Sequence, residues 1–121
     1  MRVREARPEE REAVEAVLDA AMLRTDAVPA AIDRGDALVA VADDRVLGAA
    51  VLDPKPGGPH LDAIAVRRRR RGQGIGSALV AAANARKGRL TAAFDPDVRP
   101  FYEDLGFEIR ERDGRLWGVL D

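Results

Sequence analysis

Three glycines alternate in Gly72-Gln73-Gly74-Ile75-Gly76, directly after five consecutive arginines, Arg67 to Arg71. Upstream, Leu61-Asp62-Ala63-Ile64-Ala65-Val66 has strand character. Downstream, Ser77 to Arg86 reads as a helix with a basic end and Gly88 just beyond it. Glycine carries no Cβ, so backbone N–H groups around it stay accessible. The first turn of a helix adds unpaired N–H donors and a partial positive charge. Most helices cap those donors with Ser, Asp or Asn, yet none occurs between Arg67 and Gly76. A strand entering a helix through such a loop requires a fold that mixes the two elements. Uncapped donors beside arginines describe a polyanion site, such as one for a pyrophosphate.

The flanking sequence supplies a sheet and its covering helices. Arg2-Val3-Arg4-Glu5-Ala6 suits a short edge strand. Pro8-Glu9-Glu10 starts a helix, with proline first and acids in the first turn. Val14, Leu18, Ala21 and Met22 then give it one apolar face ending near Arg24. A second short helix is expected from Pro29 to Arg34, stopped by Gly35. Ala37–Ala42 and Val46–Leu52 flank Asp43-Asp44-Arg45 as an antiparallel hairpin, followed by a loop over 53–59. Arg89 to Phe94 reads as a strand and Val98 to Leu105 as a short helix closed by Gly106. Phe107–Arg110 and Leu116–Leu120 pair around Asp113-Gly114. The order βααβββαβαββ predicts an α/β fold in one domain over 1–121: a central mixed sheet with helices on both faces.

Composition removes several functions. With 20 basic against 21 acidic residues the net charge is −1, and with few aromatics this argues against a nucleic-acid partner. Without cysteine there is no thiolate nucleophile or cysteine metal site, and a single histidine excludes a His-rich one; no metal is expected. Apolar runs fall short of the ~18 residues of a membrane span, and Met1-Arg2-Val3-Arg4-Glu5 has no apolar leader. A soluble, cytoplasmic protein without membrane association is the default expectation.

Three kinds of glycine loop compete for the central tract. A P-loop needs Lys then Ser or Thr after its last glycine, whereas Ser77-Ala78 follows here. The dinucleotide fingerprint needs Gly or Ala where Ser77 stands, and an acid about twenty residues on; the fit is poor. Arg71-x-x-Gly74-x-Gly76, entered from a strand ending Ala65-Val66, resembles the acyl-CoA pyrophosphate loop of the GCN5-related N-acetyltransferase (GNAT) superfamily. Phe101-Tyr102-Glu103-Asp104-Leu105-Gly106-Phe107 is similar to that family's late Phe-Tyr-x-x-x-Gly-Phe motif. Both motifs stand in register, and the resemblance extends over essentially the whole chain.

The resemblance implies acetyl-CoA as co-substrate, in a V-shaped opening between the strand before the loop and the next one. Arg71, Gly72, Gln73, Gly74, Ile75, Gly76 and Ser77 would hold the pyrophosphate, and main-chain groups of Ile64, Ala65 and Val66 would pair with the pantetheine arm. The Val66 N–H would face the thioester carbonyl. Arg67 to Arg70 are either solvated charge or partners of the CoA 3′-phosphate. Tyr102, the only tyrosine, stands where the family places a general acid, or else packs beside Phe101. An ammonium of pKa ~10.4 must lose a proton before attack. Strand alternation from His60 puts His60, Asp62, Ile64 and Val66 on one side, making Asp62 and His60 candidate bases. The bland reading leaves His60 in the loop and Asp62 bonded to backbone or an arginine.

Asp95 departs from the asparagine that many relatives carry seven residues before the tyrosine. An acid there repels phosphate but, with Asp97, attracts a cationic acceptor. Trp117 lines an acceptor pocket or is core or rim packing. The implied reaction is acetyl transfer to a primary amine, on a small molecule or a protein, by direct attack in a ternary complex. The alternative is a catalytically silent acyl-CoA sensor. Dimers are frequent in the family, so a homodimer is an expectation of the resemblance as well.

Overall fold

A computed structural model describes residues 1–121. The strands are β1 (Arg2–Glu5), β2 (Ala37–Ala42), β3 (Arg45–Asp53), β4 (His60–Val66), β5 (Leu90–Phe94), β6 (Glu108–Arg112) and β7 (Arg115–Leu120). The helices are α1 (Arg11–Ala20), α2 (Val28–Asp33), α3 (Ile75–Ala85) and α4 (Arg99–Asp104). Short 3₁₀ turns over Pro8–Glu10, Arg68–Arg70 and Pro96–Val98 lead into α1, the glycine tract and α4. The expected order βααβββαβαββ is therefore the observed one. No helix is long and apolar enough to cross a membrane.

All seven strands form one sheet in the order β1-β2-β3-β4-β5-β7-β6. Every neighbouring pair is antiparallel except β4 with β5, which must be parallel because α3 carries the chain across between them. The two hairpin turns read from sequence are made by left-handed residues, Asp43 and Asp44 in one, Asp113 and Gly114 in the other. The second hairpin inserts its last strand: β7, not β6, pairs with β5.

Helices cover both faces, over two separate cores. On one side Val14, Val17 and Leu18 of α1 and Val28 of α2 pack on Val39, Ala49 and Val51. On the other, Leu79, Val80 and Ala83 of α3 join Leu38, Leu52, Leu90, Phe94, Tyr102 and Phe107. Arg86, just past α3, anchors that helix to the sheet edge through the Gly35 carbonyl at 2.7 Å and Asp36 at 3.1 Å.

Three local expectations are corrected. The first helix ends at Ala20 rather than near Arg24, and Met22 is 93% exposed instead of lying on its apolar face. The Leu23 N–H donates to the Leu18 carbonyl at 3.0 Å and the Met22 N–H to that of Asp19 at 2.9 Å, with Met22 left-handed at φ 63°. That is a Schellman stop: it turns Leu23 back onto the core and Met22 outwards. The helix after the glycine tract begins at Ile75, so Ile75 and Gly76 belong to its first turn. Alternation along β4 also fails, because the β3–β4 register slips between Val51–Ala63 and Leu52–Leu61, leaving Asp62 as an unpaired bulge residue. Leu61, Ile64 and Val66 consequently share the α3 side, and His60 points the other way.

A Cβ on Gly118 would lie 3.0 Å from Phe107 and 3.1 Å from Phe94, so β7 crosses the aromatic core as bare backbone. Gly118→Val is expected to cost about 1–3 kcal/mol by overpacking, seen as a lower urea midpoint with an unchanged slope.

Candidate active site

β4 and β5 pair only through His60 with Thr91 and Leu61 with Ala92. The bulge at Asp62 follows at once, and bulges bend and twist the strand that carries them. The strands part, and a cleft of 670 Å³ opens between them. The Arg67 N–H donates to the Leu47 carbonyl at 2.8 Å, which fixes the antiparallel alternation on this side of β4. Ala65 and Arg67 thus turn their backbone groups to β3, while Ile64 and Val66 turn theirs to the gap. All three of Ile64, Ala65 and Val66 line the cleft, Ala65 without presenting its amide.

The glycine tract forms one end of the cleft. Gly72 and Gly74 have φ of 77° and 80°, and a Cβ on either would meet nothing within 4 Å. Conformation, not crowding, requires glycine at both positions. Gly74 is the N-cap of α3, and no side chain caps the helix. The first-turn N–H groups of Ile75, Gly76 and Ser77 have no intrahelical acceptor. Arg71, Gly72, Gly74, Ile75, Gly76 and Ser77 all line the cleft; of the tract, Gln73 alone does not. The Arg71 guanidinium donates to the Val66 carbonyl at 3.3 Å. Among the arginines before it, Arg70 lines the cleft, whereas Arg67 is tied by its Nε to the Val46 carbonyl at 2.6 Å and extends the sheet.

Gly76 is small for a different reason. A Cβ there would lie 3.1 Å from a ring carbon of Phe101, so α4 rests directly on the first turn of α3. The next residue, Tyr102, is only 6% exposed and still lines the cleft. Its ring stacks on Phe94 with centroids 3.9 Å apart and meets Phe101 and Phe107 edge-on at 5.1 Å. Tyr102 thus packs beside Phe101 and lines the cleft at once. Burial raises its phenol pKa above the ordinary value.

The two candidate bases are not brought together. Asp62 is exposed and lines the cleft. His60 belongs to β4 rather than to the loop but lies outside the lining. Its Nδ1 is 2.7 Å from the Thr91 hydroxyl, and its ring stacks on Trp117 at 5.1 Å. Burial lowers its pKa against the opposing pull of Asp62 and Asp53, keeping the ring neutral at pH 7. Asp95 and Asp97 line the cleft beside Tyr102, with Arg115 3.6 Å from Asp95. Ala21 and Leu23 close the rim. Sequence reading missed Arg115, Ala21 and Leu23. The Schellman bonds that carry Leu23 inward join residues of ordinary type, and Arg115 is merely the residue after a turn.

Comparison with known proteins agrees with this fold. The family model for the acetyltransferase (GNAT) domain matches residues 33–109. The chain belongs to the GNAT acetyltransferase family. No curated protein sequence matches it. Among solved structures, Ard1 from Thermoplasma volcanium superposes with a TM-score of 0.81 at 20% identity, over 99% of this chain and 95% of that one. Rv2747 from Mycobacterium tuberculosis, in complex with CoA, gives 0.84 at 17% identity over 99% and 98%. An aminoglycoside 6′-N-acetyltransferase complexed with coenzyme A gives 0.79 at 18% identity over 98% and 96%. These likenesses are of fold.

As the only tyrosine, Tyr102 can be followed alone by phenolate absorbance. Its midpoint is expected above ~10 in the folded protein and near ~10 after unfolding in urea. The folded pKa is the higher one. Its stabilising contribution is therefore complete below the unfolded pKa and is lost as pH rises through the folded one. A folded midpoint below the unfolded one would contradict the burial described.

Proposed function

We propose that the protein is an acetyltransferase that moves the acetyl group of acetyl-CoA to a primary amine by direct attack in a ternary complex. The observation that carries this is the uncapped first turn of α3, opening with two left-handed glycines onto a cleft that Tyr102 also lines. The residues present fit the co-substrate. Amides of Gly72 to Ser77 with the Arg71 and Arg70 guanidiniums offer donors and positive charge to a diphosphate. Ile64 and Val66 offer the gap-facing backbone groups of an unfinished strand to the amides of a pantetheine arm. Side chains at positions 72 and 74 would fill the cradle.

Bound there, acetyl-CoA supplies its acyl group as a thioester: a C–N bond to the amine forms as the C–S bond breaks. The Val66 N–H, turned into the gap, donates to the carbonyl oxygen as negative charge develops on it. Tyr102 gives its phenolic proton to the departing sulfur and regains one from the nitrogen, which sheds its second proton once the C–N bond has formed. Asp62 accepts the proton that the ammonium must lose, directly or through water. His60, outside the cleft lining, is assigned no contact with the reacting atoms. Asp62, Asp95 and Asp97 make the acceptor's side of the cleft attractive to a cation.

At a hundredfold excess over its Kd, acetyl-CoA should stabilise the fold by about 2.7 kcal/mol, raising the melting temperature by roughly 10 °C for a chain of this size. Gly74→Glu is expected to abolish that rise, since its carboxylate occupies and repels the diphosphate position. Normal affinity in this variant would remove the loop from the site. Thiol release over a panel of amines separates a transferase from a silent acyl-CoA sensor. There Tyr102→Phe should slow release by about 10²-fold while the melting shift with acetyl-CoA persists. Equal rates in this variant and the wild-type protein would leave Tyr102 as packing alone.

A further inference from the structure

The sheet has one face that its helices leave half uncovered. α1 and α2 pack on β2, β3 and β4, and no helix lies over β5, β7 and β6 on that side. Leu116 and Ile109 pack into the α3 core, and Gly118 faces Phe94 and Phe107. Alternation therefore turns Trp117 and Val119 of β7, and Arg110 and Arg112 of β6, to the bare side. They border a shallow hollow of 310 Å³. Trp117, the only tryptophan, lies between His60, stacked at 5.1 Å, and the Arg112 guanidinium, 5.3 Å from its ring centre.

Charge on this face is graded. Arg89 is paired with Asp121 at 3.1 Å and Arg115 with Asp95 at 3.6 Å, whereas Arg110 and Arg112 have no carboxylate within ion-pair distance. The register places Arg112 opposite Arg115, which lines the cleft, then Arg110 opposite Trp117, then Glu108 opposite Val119. Ala93, opposite Trp117 on β5, lines the cleft as well. The cleft, lined by Asp62, Asp95 and Asp97 together with Arg70, Arg71 and Arg115, thus runs onto a surface where two arginines without a carboxylate partner flank a fixed indole. Two strand spacings, about 10 Å, separate Ala93 from Arg110. A molecule with its amine at one end and carboxylates further along is complementary to that gradient.

From this we infer that the bare β5–β7–β6 face is the docking surface for an acidic, extended peptide whose amino group enters the cleft, so that the acceptor is a peptide amine with carboxylates beyond it. The amine end of this inference rests on the transferase reading; the docking face does not. Trp117 emission reports the face directly. The probes are two tryptophan-free peptides of equal length with free amino termini, one alternating glutamate and glycine, the other lysine and glycine. Saturable change is expected with the glutamate peptide and none with the lysine peptide. R110Q/R112Q should weaken the midpoint about tenfold, the loss of two exposed charge pairs, and R110E/R112E should exchange the preference.

Equal response to both peptides overturns the inference. So does wild-type titration in both variants, or tighter binding of a short single-stranded oligonucleotide. The melting shift with acetyl-CoA, measured on the same samples, keeps the two readings apart. If the shift persists while the glutamate peptide fails to bind, only the docking face falls. If the peptide binds as expected and acetyl-CoA gives no shift, the face stands and the transferase reading falls.

Discussion

β4 and β5 are held together at His60 with Thr91 and Leu61 with Ala92, and their backbones share no pairing beyond those positions. Everything that gives this sheet a site follows from the early parting of two parallel neighbours. A parallel strand left without a partner keeps N–H and C=O groups pointing into open space, where burial without a hydrogen bond would be costly. Here they face a cleft. The bulge residue Asp62 sits at the point of divergence, so the irregularity that bends β4 also sets a carboxylate at the mouth of the gap.

The walls of the cleft are coupled by packing. Gly76, in the first turn of α3, receives the ring of Phe101, and Phe101 meets Tyr102 edge-on. Phe94, from the strand that bounds the gap, stacks against the same tyrosine. The loop proposed to bind a diphosphate and the phenol proposed to protonate sulfur are thereby fixed relative to one another through three aromatic rings. Close-packed interiors transmit small displacements rather than absorbing them. The alternating glycines consequently serve two physical needs: backbone conformation at Gly72 and Gly74, close approach at Gly76.

Much of the fold was legible because its elements carry strong local signals. Asp43-Asp44 and Asp113-Gly114 name their turns, Gly35 and Gly88 follow their helices, and the apolar runs are separated by polar loops. The misread end of α1 shows the limit of this. Met22 continues the helical period and would pass as core, but the hydrogen bonds from Leu23 to Leu18 and from Met22 to Asp19 stop the helix with a methionine where glycine is usual. The position of His60 was lost for a related reason. Alternation is a local rule, and the slip that breaks it is a property of β4 against β3, visible only when both strands are in place.

What the chain determined alone is the set of elements, their order and the uncapped start of α3, because each depends on residues within a few positions of one another. Phe101-Tyr102 and the glycine tract also announced themselves as motifs. Only tertiary structure decided that β7 enters beside β5, that Asp62 reaches the cleft while His60 faces away, and that Arg67 belongs to the sheet although Arg70 lines the gap. It alone set Arg110, Arg112 and Trp117 on one face of the sheet, in register with Ala93 and Arg115 of the gap's lining. These outcomes turn on pairing register, and register is settled by partners distant in sequence: a shift of one residue exchanges every side chain between the two faces of a strand.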